Sequence, residues 1–358
     1  MTADFSLPDE VVELRSALER FARDRLAPRA REAEADGSWP EAVLLALDRF
    51  ELSSLDLPGA FGGVGIGCLG KVVVLETLAV ADAGGLPAAD QPGPTAGALS
   101  ACPEGDRAAV VAEAALARRA ASTLVVTATD EPEAPAVVEW APSWPPLGWV
   151  WESRGDRLRL FGPGPGVDPG SPALAFGASG TATAALSHWP VAGTWTLPAG
   201  GGLAVRGRAR LWAAAVTLGI AQAAFDATVA YATERVVFGR PVAHHQGNAF
   251  ELAASAAGLH GARLLVYDAA RRFDAWDAGT TEHPVDAGFW ATEAFLETTE
   301  TAGRVTDLGI QLLGGHGFLV DHLAEKRFRE ARMLGLFFGG RARAEDDLAC
   351  ALVEVGAW

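Results

Sequence analysis

Cysteine is scarce in this chain: Cys68, Cys102 and Cys350 are its only thiols, at wide and irregular spacing. An odd number so placed builds neither a disulfide framework nor a zinc cluster, so they read as reduced thiols. Positive charge is short as well, with 29 lysines and arginines against 45 acidic residues and a formal net charge of -16. No basic block stands out, which makes nucleic acid a poor partner. The start Met1-Thr2-Ala3-Asp4-Phe5 has no basic stretch leading into an apolar one, so no secretory signal is read and the cytoplasm is the expected location. The most apolar segment, residues 211–232, is interrupted by Gln222 and Asp226, which predicts a buried bundle helix instead of a membrane span.

What is present is the balance of a soluble globular protein, 49% hydrophobic and 21% charged over 358 residues, enough for two or three structural units. Val11, Leu14, Leu18, Phe21 and Leu26 recur at helical spacing and predict an amphipathic helix over residues 8–30, with Ser6 placed to cap it. Further helices are expected at 40–50, 71–83 and 108–120. From Ser122 the β-branched run Thr123-Leu124-Val125-Val126-Thr127 and frequent Pro, Gly and Trp predict short strands and turns. Beyond Arg206 the pattern is helical again, over 210–237, 246–278 and 287–313. The expected plan is mainly α with a small central β-domain: a helical unit at 1–121, a β-domain at 122–205 and a C-terminal four-helix bundle at 206–358. The tryptophans Trp140, Trp144, Trp149 and Trp151 are expected in a core or a subunit contact.

Two motifs stand in register in the C-terminal half. Arg235-Val236-Val237-Phe238-Gly239-Arg240-Pro241 is followed by Gln246, eleven residues after the arginine. Gln311-Leu312-Leu313-Gly314-Gly315-His316-Gly317-Phe318 begins 76 residues after Arg235. Upstream, Leu26-Ala27-Pro28, the turn Pro58-Gly59-Ala60-Phe61-Gly62-Gly63-Val64-Gly65, Glu76 and Asp82-Ala83 come in a matching order, and Arg327-Phe328-Arg329-Glu330-Ala331-Arg332 adds a late basic run. Together these resemble the acyl-CoA dehydrogenases, FAD enzymes that oxidise an acyl-CoA thioester to the 2,3-enoyl-CoA. The resemblance covers nearly the whole chain and is weakest in the middle.

That resemblance implies a role for each matching residue. Arg235 would hold the FAD pyrophosphate with its planar fork of donors. Phe238 would pack beside the cofactor, Gln246 and Gln311 would offer amide hydrogen bonds, and Gly314 and Gly315 would let the backbone approach the adenosine end. In the family these groups cross a subunit interface to a neighbour's FAD, so an oligomer is expected. Arg210 matches an arginine of the long helix near the substrate. Against this, a net charge of -16 does nothing to attract coenzyme A.

The base is missing. The family's proton-abstracting glutamate precedes the glycine at 339, where this chain has Phe338; the alternative base position, before Arg210, is Ala209. Neither side chain accepts a proton. Glu330 and Glu345, among charged neighbours, read as salt-bridged surface residues. His316, in the variable position of its motif, is a further candidate base, since an imidazole is the side chain suited to proton transfer near neutral pH. The β-domain segments that meet the flavin ring have faded as well, the nearest matches being Thr129-Asp130-Glu131-Pro132-Glu133-Ala134-Pro135 and Leu158-Arg159-Leu160-Phe161-Gly162-Pro163. The distal cofactor contacts remain while those of the reactive half are lost, as in the non-catalytic subunit of the heteromeric α2β2 dehydrogenases of actinobacterial steroid side-chain degradation. A homologous catalytic subunit is therefore the expected partner. A self-sufficient flavoenzyme with an unrecognised base, and a non-enzymatic helical scaffold, stay open beside it.

Overall fold

The computed structural model describes residues 6–57, 59, 62–90, 92–102, 121–127, 137–141, 147–168, 175–179, 182–280 and 284–355. Helix α1, Asp9–Phe21, carries Asp9 and Glu10 in its first turn, where the helix dipole favours acids, and buries Val11 and Leu18. Ser6 does not cap it: Pro8 occupies that position, its carbonyl accepting from the amides of Val11 and Val12. The expected single helix to residue 30 is broken as well. A π-helical turn over Ala22–Leu26 and a 3-10 turn over Ala27–Arg29 intervene, because Pro28 lacks the N–H that a continuous α-helix needs. Helix α2, Ala30–Asp36, then stops at Gly37 in the left-handed conformation. Helices α3, Glu41–Asp48, α4, Gly67–Ala81, α5, Leu86–Ala89, and α6, Ala96–Ser100, complete the described N-terminal unit. The helix expected at 108–120 lies outside the described residues, as do Pro58, Ala60 and Phe61.

The middle unit has two small sheets. Strands β1, Ala121–Val126, β3, Leu147–Arg154, β4, Arg157–Phe161, and β7, Val191–Thr196, form one in the order β1-β3-β4-β7, with β1 parallel to β3 and the other pairs antiparallel. Strands β2, Val137–Ala141, β5, Val167–Asp168, and β6, Ala182–Ala185, form the other in the order β2-β6-β5. Trp151, Leu158 and Leu160 are fully buried and join the first sheet to the main core. The segment 129–135 lies outside the described residues.

The bundle begins with α7, Gly201–Glu234, whose residues up to Ala221 are all buried. A hairpin of β8, Val236–Val237, and β9, Arg240–Pro241, leads to α8, Gln246–Asp277, then α9, Pro284–Leu313, α10, Ala324–Leu334, and α11, Gly340–Val355. The first helix of the bundle thus starts at Gly201, ahead of the helical pattern read from Arg206. Glycine at that point reads as loop from sequence, yet a Cβ on Gly202 would meet the Gly155 carbonyl at 1.8 Å, so the β3–β4 turn requires a glycine there. A second close approach joins α7 to α9, where a Cβ on Gly207 would stand 2.7 Å from Gly288. Contacts of Gly207 with Gly288 and of Gly309 with Thr228 run α7 and α9 parallel, with α8 antiparallel between Gly258–Thr301 and Arg272–Asp286. Among the described residues only α7 is long and apolar enough to span a membrane, but 67% of its most apolar window is buried in the bundle, the place of a core helix.

Candidate active site and cofactor-facing surface

The turn between α10 and α11 holds three successive residues at positive φ, Phe338 at 54°, Gly339 at 90° and Gly340 at 62°. A left-handed phenylalanine costs on the order of 1–2 kcal/mol, so its surroundings must impose it. Arg210 does so from α7: its Nε and Nη2 each donate to the Phe338 carbonyl at 3.3 Å. The ring is 8% exposed and meets Phe337 edge-on at 5.8 Å. A Cβ on Gly339 would lie 2.8 Å from Arg343 and 3.1 Å from Val126, so this glycine lets the turn press against the end of β1. Beside Val126, the Thr127 hydroxyl is buried with no hydrogen-bond partner among the described residues. The first half of α7, the α10–α11 turn and the end of β1 therefore converge here, and the two positions expected to hold a carboxylate hold a phenyl ring and the fully buried methyl of Ala209.

Arg210, expected near the substrate, is instead enclosed. Its Nη1 donates to Thr292 Oγ1 at 3.1 Å and pairs with Asp347 at 2.7 Å, leaving it committed to the scaffold. Burial, with Arg206 and Arg343 nearby, pulls it to about 10 in spite of Asp347. Asp347 is shared by three buried arginines, Arg206 through two hydrogen bonds of 2.9 and 2.7 Å, Arg210, and Arg343 at 3.2 Å. Burial alone would raise this carboxyl, but the hydrogen bonds from Arg206 and the surrounding guanidinium charges hold it below its ordinary value. Only the i, i+4 spacing of Arg343 and Asp347 hinted at this cluster in the sequence.

Glu330 is not the surface residue that its neighbours suggested, being 1% exposed. It shares Lys326 with Asp82, each oxygen 2.6 Å from Nζ, and the Trp39 indole donates to Asp82 at 2.6 Å. Burial and the second carboxylate push Glu330 up to about 7 even beside the ammonium. Lys71, the chain's other lysine, is likewise buried, between Asp90 at 2.7 Å and Asp56 at 3.4 Å. Glu345, by contrast, is an exposed partner of Arg341, as expected.

The residues expected to face the cofactor all lie exposed at one end of the bundle. Arg235 follows the last residue of α7, and Phe238 and Gly239, at φ 52° and 80°, make the two-residue turn between β8 and β9. Positive φ at both centres is the twist a tight hairpin requires, and it turns the Phe238 ring out to 94% exposure. His245 steadies the hairpin, its Nε2 lying 3.0 Å from the Val237 carbonyl. Gln246 opens α8, and Gln311 stands exposed on the last turn of α9. Gly314, left-handed at 59°, and Gly315 follow, and a Cβ on either would meet nothing within 4 Å, so a flat surface remains open to a ligand. Tyr231 and Leu313 line one cavity, which places the ends of α7 and α9, and hence both motifs, side by side. An exposed guanidinium, two amides, a displayed ring and open backbone suit the phosphate and adenosine half of a dinucleotide.

The acyl-CoA dehydrogenase N-terminal domain family matches residues 8–93, and the acyl-CoA dehydrogenase C-terminal domain family matches residues 206–352. Probable acyl-CoA dehydrogenase FadE25 of Mycobacterium tuberculosis is 27% identical over 369 residues, covering 94% of this chain and 93% of that protein. A glutaryl-CoA dehydrogenase of Mycobacterium smegmatis, solved with FADH2, superposes with a TM-score of 0.79 at 17% identity, over 98% of this chain and 96% of the other. The Tcur3481-Tcur3483 steroid ACAD variant, whose name joins two proteins, has a TM-score of 0.76 at 21% identity, over 98% and 99% of the two chains. The helix, sheet and helix plan is the fold of these enzymes, the two matched stretches together span more than half of the sequence, and the chain belongs to the acyl-CoA dehydrogenase family.

Proposed function

We propose that this chain is the subunit of a heteromeric acyl-CoA dehydrogenase that does not itself abstract the proton, and that it completes the FAD site of a homologous catalytic partner. One observation carries the reading: hydrocarbon fills both base positions, Phe338 and Ala209, while Arg235, Phe238, Gln246, Gln311, Gly314 and Gly315 stand exposed. When bound, the flavin supplies the hydride acceptor for α,β-dehydrogenation of the thioester. Arg235 binds and orients the pyrophosphate, Gln246 and Gln311 hydrogen-bond beside it, and Phe238 covers the cofactor from water. Arg210 and Asp347 hold the turn at 338 in shape, and no side chain there moves a proton. The likeness to the Tcur3481-Tcur3483 steroid ACAD supports a two-protein assembly and a bulky acyl-CoA substrate.

One observation favours a second reading, a self-sufficient flavoenzyme. The orphaned, buried Thr127 hydroxyl beside the Phe338 turn is a group that a flavin ring would satisfy. Visible absorbance separates the two. On the proposed reading the chain purified alone is colourless and the co-expressed pair is yellow; a yellow single chain with dehydrogenase activity favours the second.

A further inference from the structure

Between the C-terminal halves of α7 and α9 and the start of α10 lies a cavity of about 100 Å³. Thr228 and Tyr231 line it from α7, Thr306 and Leu313 from α9, and His322 and Arg327 from the segment leading into and along α10. It is distinct from the cofactor-facing surface. At 100° per residue, Thr306 and Leu313 share one face of α9 and Gln311 points away from it.

The donors in this cavity are uncommitted. Among the described residues, the Arg327 guanidinium has no ion pair or hydrogen bond, and neither the Tyr231 hydroxyl nor the His322 ring has a hydrogen-bond partner. Every other arginine buried around the bundle behaves differently: Arg206, Arg208, Arg210 and Arg343 each meet a carboxylate. Arg329, two residues from Arg327, is paired with both Glu34 and Glu325. Burial pulls Arg327 below the usual arginine range even though the charges of Glu330, Asp226 and Asp82 act against it, none of them close enough to pair with it. The Thr228 and Thr306 hydroxyls already donate to the carbonyls of Ala224 and Ala302. A half-buried guanidinium, a phenol and an imidazole around a small apolar floor form a donor-rich site whose lining includes no carboxylate among the described residues.

We infer that this cavity is a binding site for a small oxyanion, the carboxylate or phosphate group of a metabolite, held by Arg327 with Tyr231 and His322. The planar fork of Arg327 matches either group through two parallel hydrogen bonds, and the phenol adds a third donor. The site requires no flavin and no partner subunit, so its fate is separate from that of the proposed FAD surface.

The test is calorimetric titration of the full chain with inorganic phosphate and, separately, with succinate, at constant ionic strength in a chloride buffer. Saturable binding of either is expected, and whichever binds more tightly assigns the phosphate or the carboxylate class. Arg327→Gln should weaken that binding about tenfold, the loss typical of a charge-assisted hydrogen bond. Tyr231→Phe, which removes one oxygen and leaves the packing intact, should weaken it several-fold, and Arg235→Ala should leave it unchanged. No heat with either anion would overturn the inference, as would binding that survives both Arg327→Gln and Tyr231→Phe or is lost in Arg235→Ala, which would move the anion to the exposed surface.

Discussion

Arg210 donates twice to the carbonyl oxygen of Phe338, fixing from α7 the backbone of the one residue on which the chemistry of this family would turn. The contact is to the main chain, so it holds the turn whatever side chain position 338 carries. The backbone of the turn is thus fixed independently of the side chain at 338.

Phe338→Glu tests whether a base alone is what is lacking. Arg210 holds residue 338 through its main-chain carbonyl, so the variant should fold, at a cost of roughly 1–3 kcal/mol for the lost ring burial. Assayed alone with acyl-CoA thioesters and an artificial electron acceptor, it is expected to remain inactive, because on the proposed reading the flavin-ring contacts belong to the partner. Substantial dehydrogenation by the isolated variant would show that this chain holds a whole active site.

Asp347 is the shared anion of three buried guanidiniums, so Asp347→Asn leaves them without their counter-charge. A loss of about 3–5 kcal/mol is expected from urea unfolding at pH 7. The folded Asp347 lies below its ordinary value of 3.8, so its contribution is fully present above that pH and is lost as pH falls through the folded value. The difference between wild type and variant should therefore shrink only in strong acid, and a gap that closes near pH 6 would contradict the assignment.

Glu330 has the opposite sign. Its folded carboxyl is raised from 4.5 to about 7, so between those values the native state binds more protons than the unfolded one. Stability should fall as pH rises through this window and level off above it. Glu330→Gln should flatten that stretch of the profile in thermal unfolding measured from pH 4.5 to 8. A wild-type profile that climbs through the window, with no change in the variant, would count against the buried cluster.

Arg235 is exposed and touches no carboxylate among the described residues, so Arg235→Ala should leave the unfolding of the isolated chain within about 0.5 kcal/mol of wild type. In the assembled enzyme the same change should weaken FAD retention about tenfold, the loss expected of a phosphate contact. Flavin content that survives extensive dialysis at the wild-type level would remove Arg235 from the cofactor site.

The long helices were legible because their apolar period persists over many turns: 246–278 was read against an observed Gln246–Asp277, and 287–313 against Pro284–Leu313. The start of α7 was not, because Gly201 and Gly202 read as loop, and only the nearness of Gly155 explains glycine in a helix. The exposed motif of Arg235, Phe238 and Gln246 was readable by spacing, since its residues lie close in sequence. The clusters around Asp347 and Glu330 were not, since they join side chains as far apart as Arg206 and Asp347, or Asp82 and Glu330. Charge alone marked Glu330 as surface; burial against Lys326 made it core.

The most direct test of the central claim is the ratio of FAD to chains, measured by flavin absorbance and quantitative mass spectrometry on the co-expressed complex and on this chain alone. The account predicts a colourless, inactive single chain and an active mixed assembly with fewer flavins than subunits. A single chain that purifies with one FAD per copy and oxidises an acyl-CoA would contradict it.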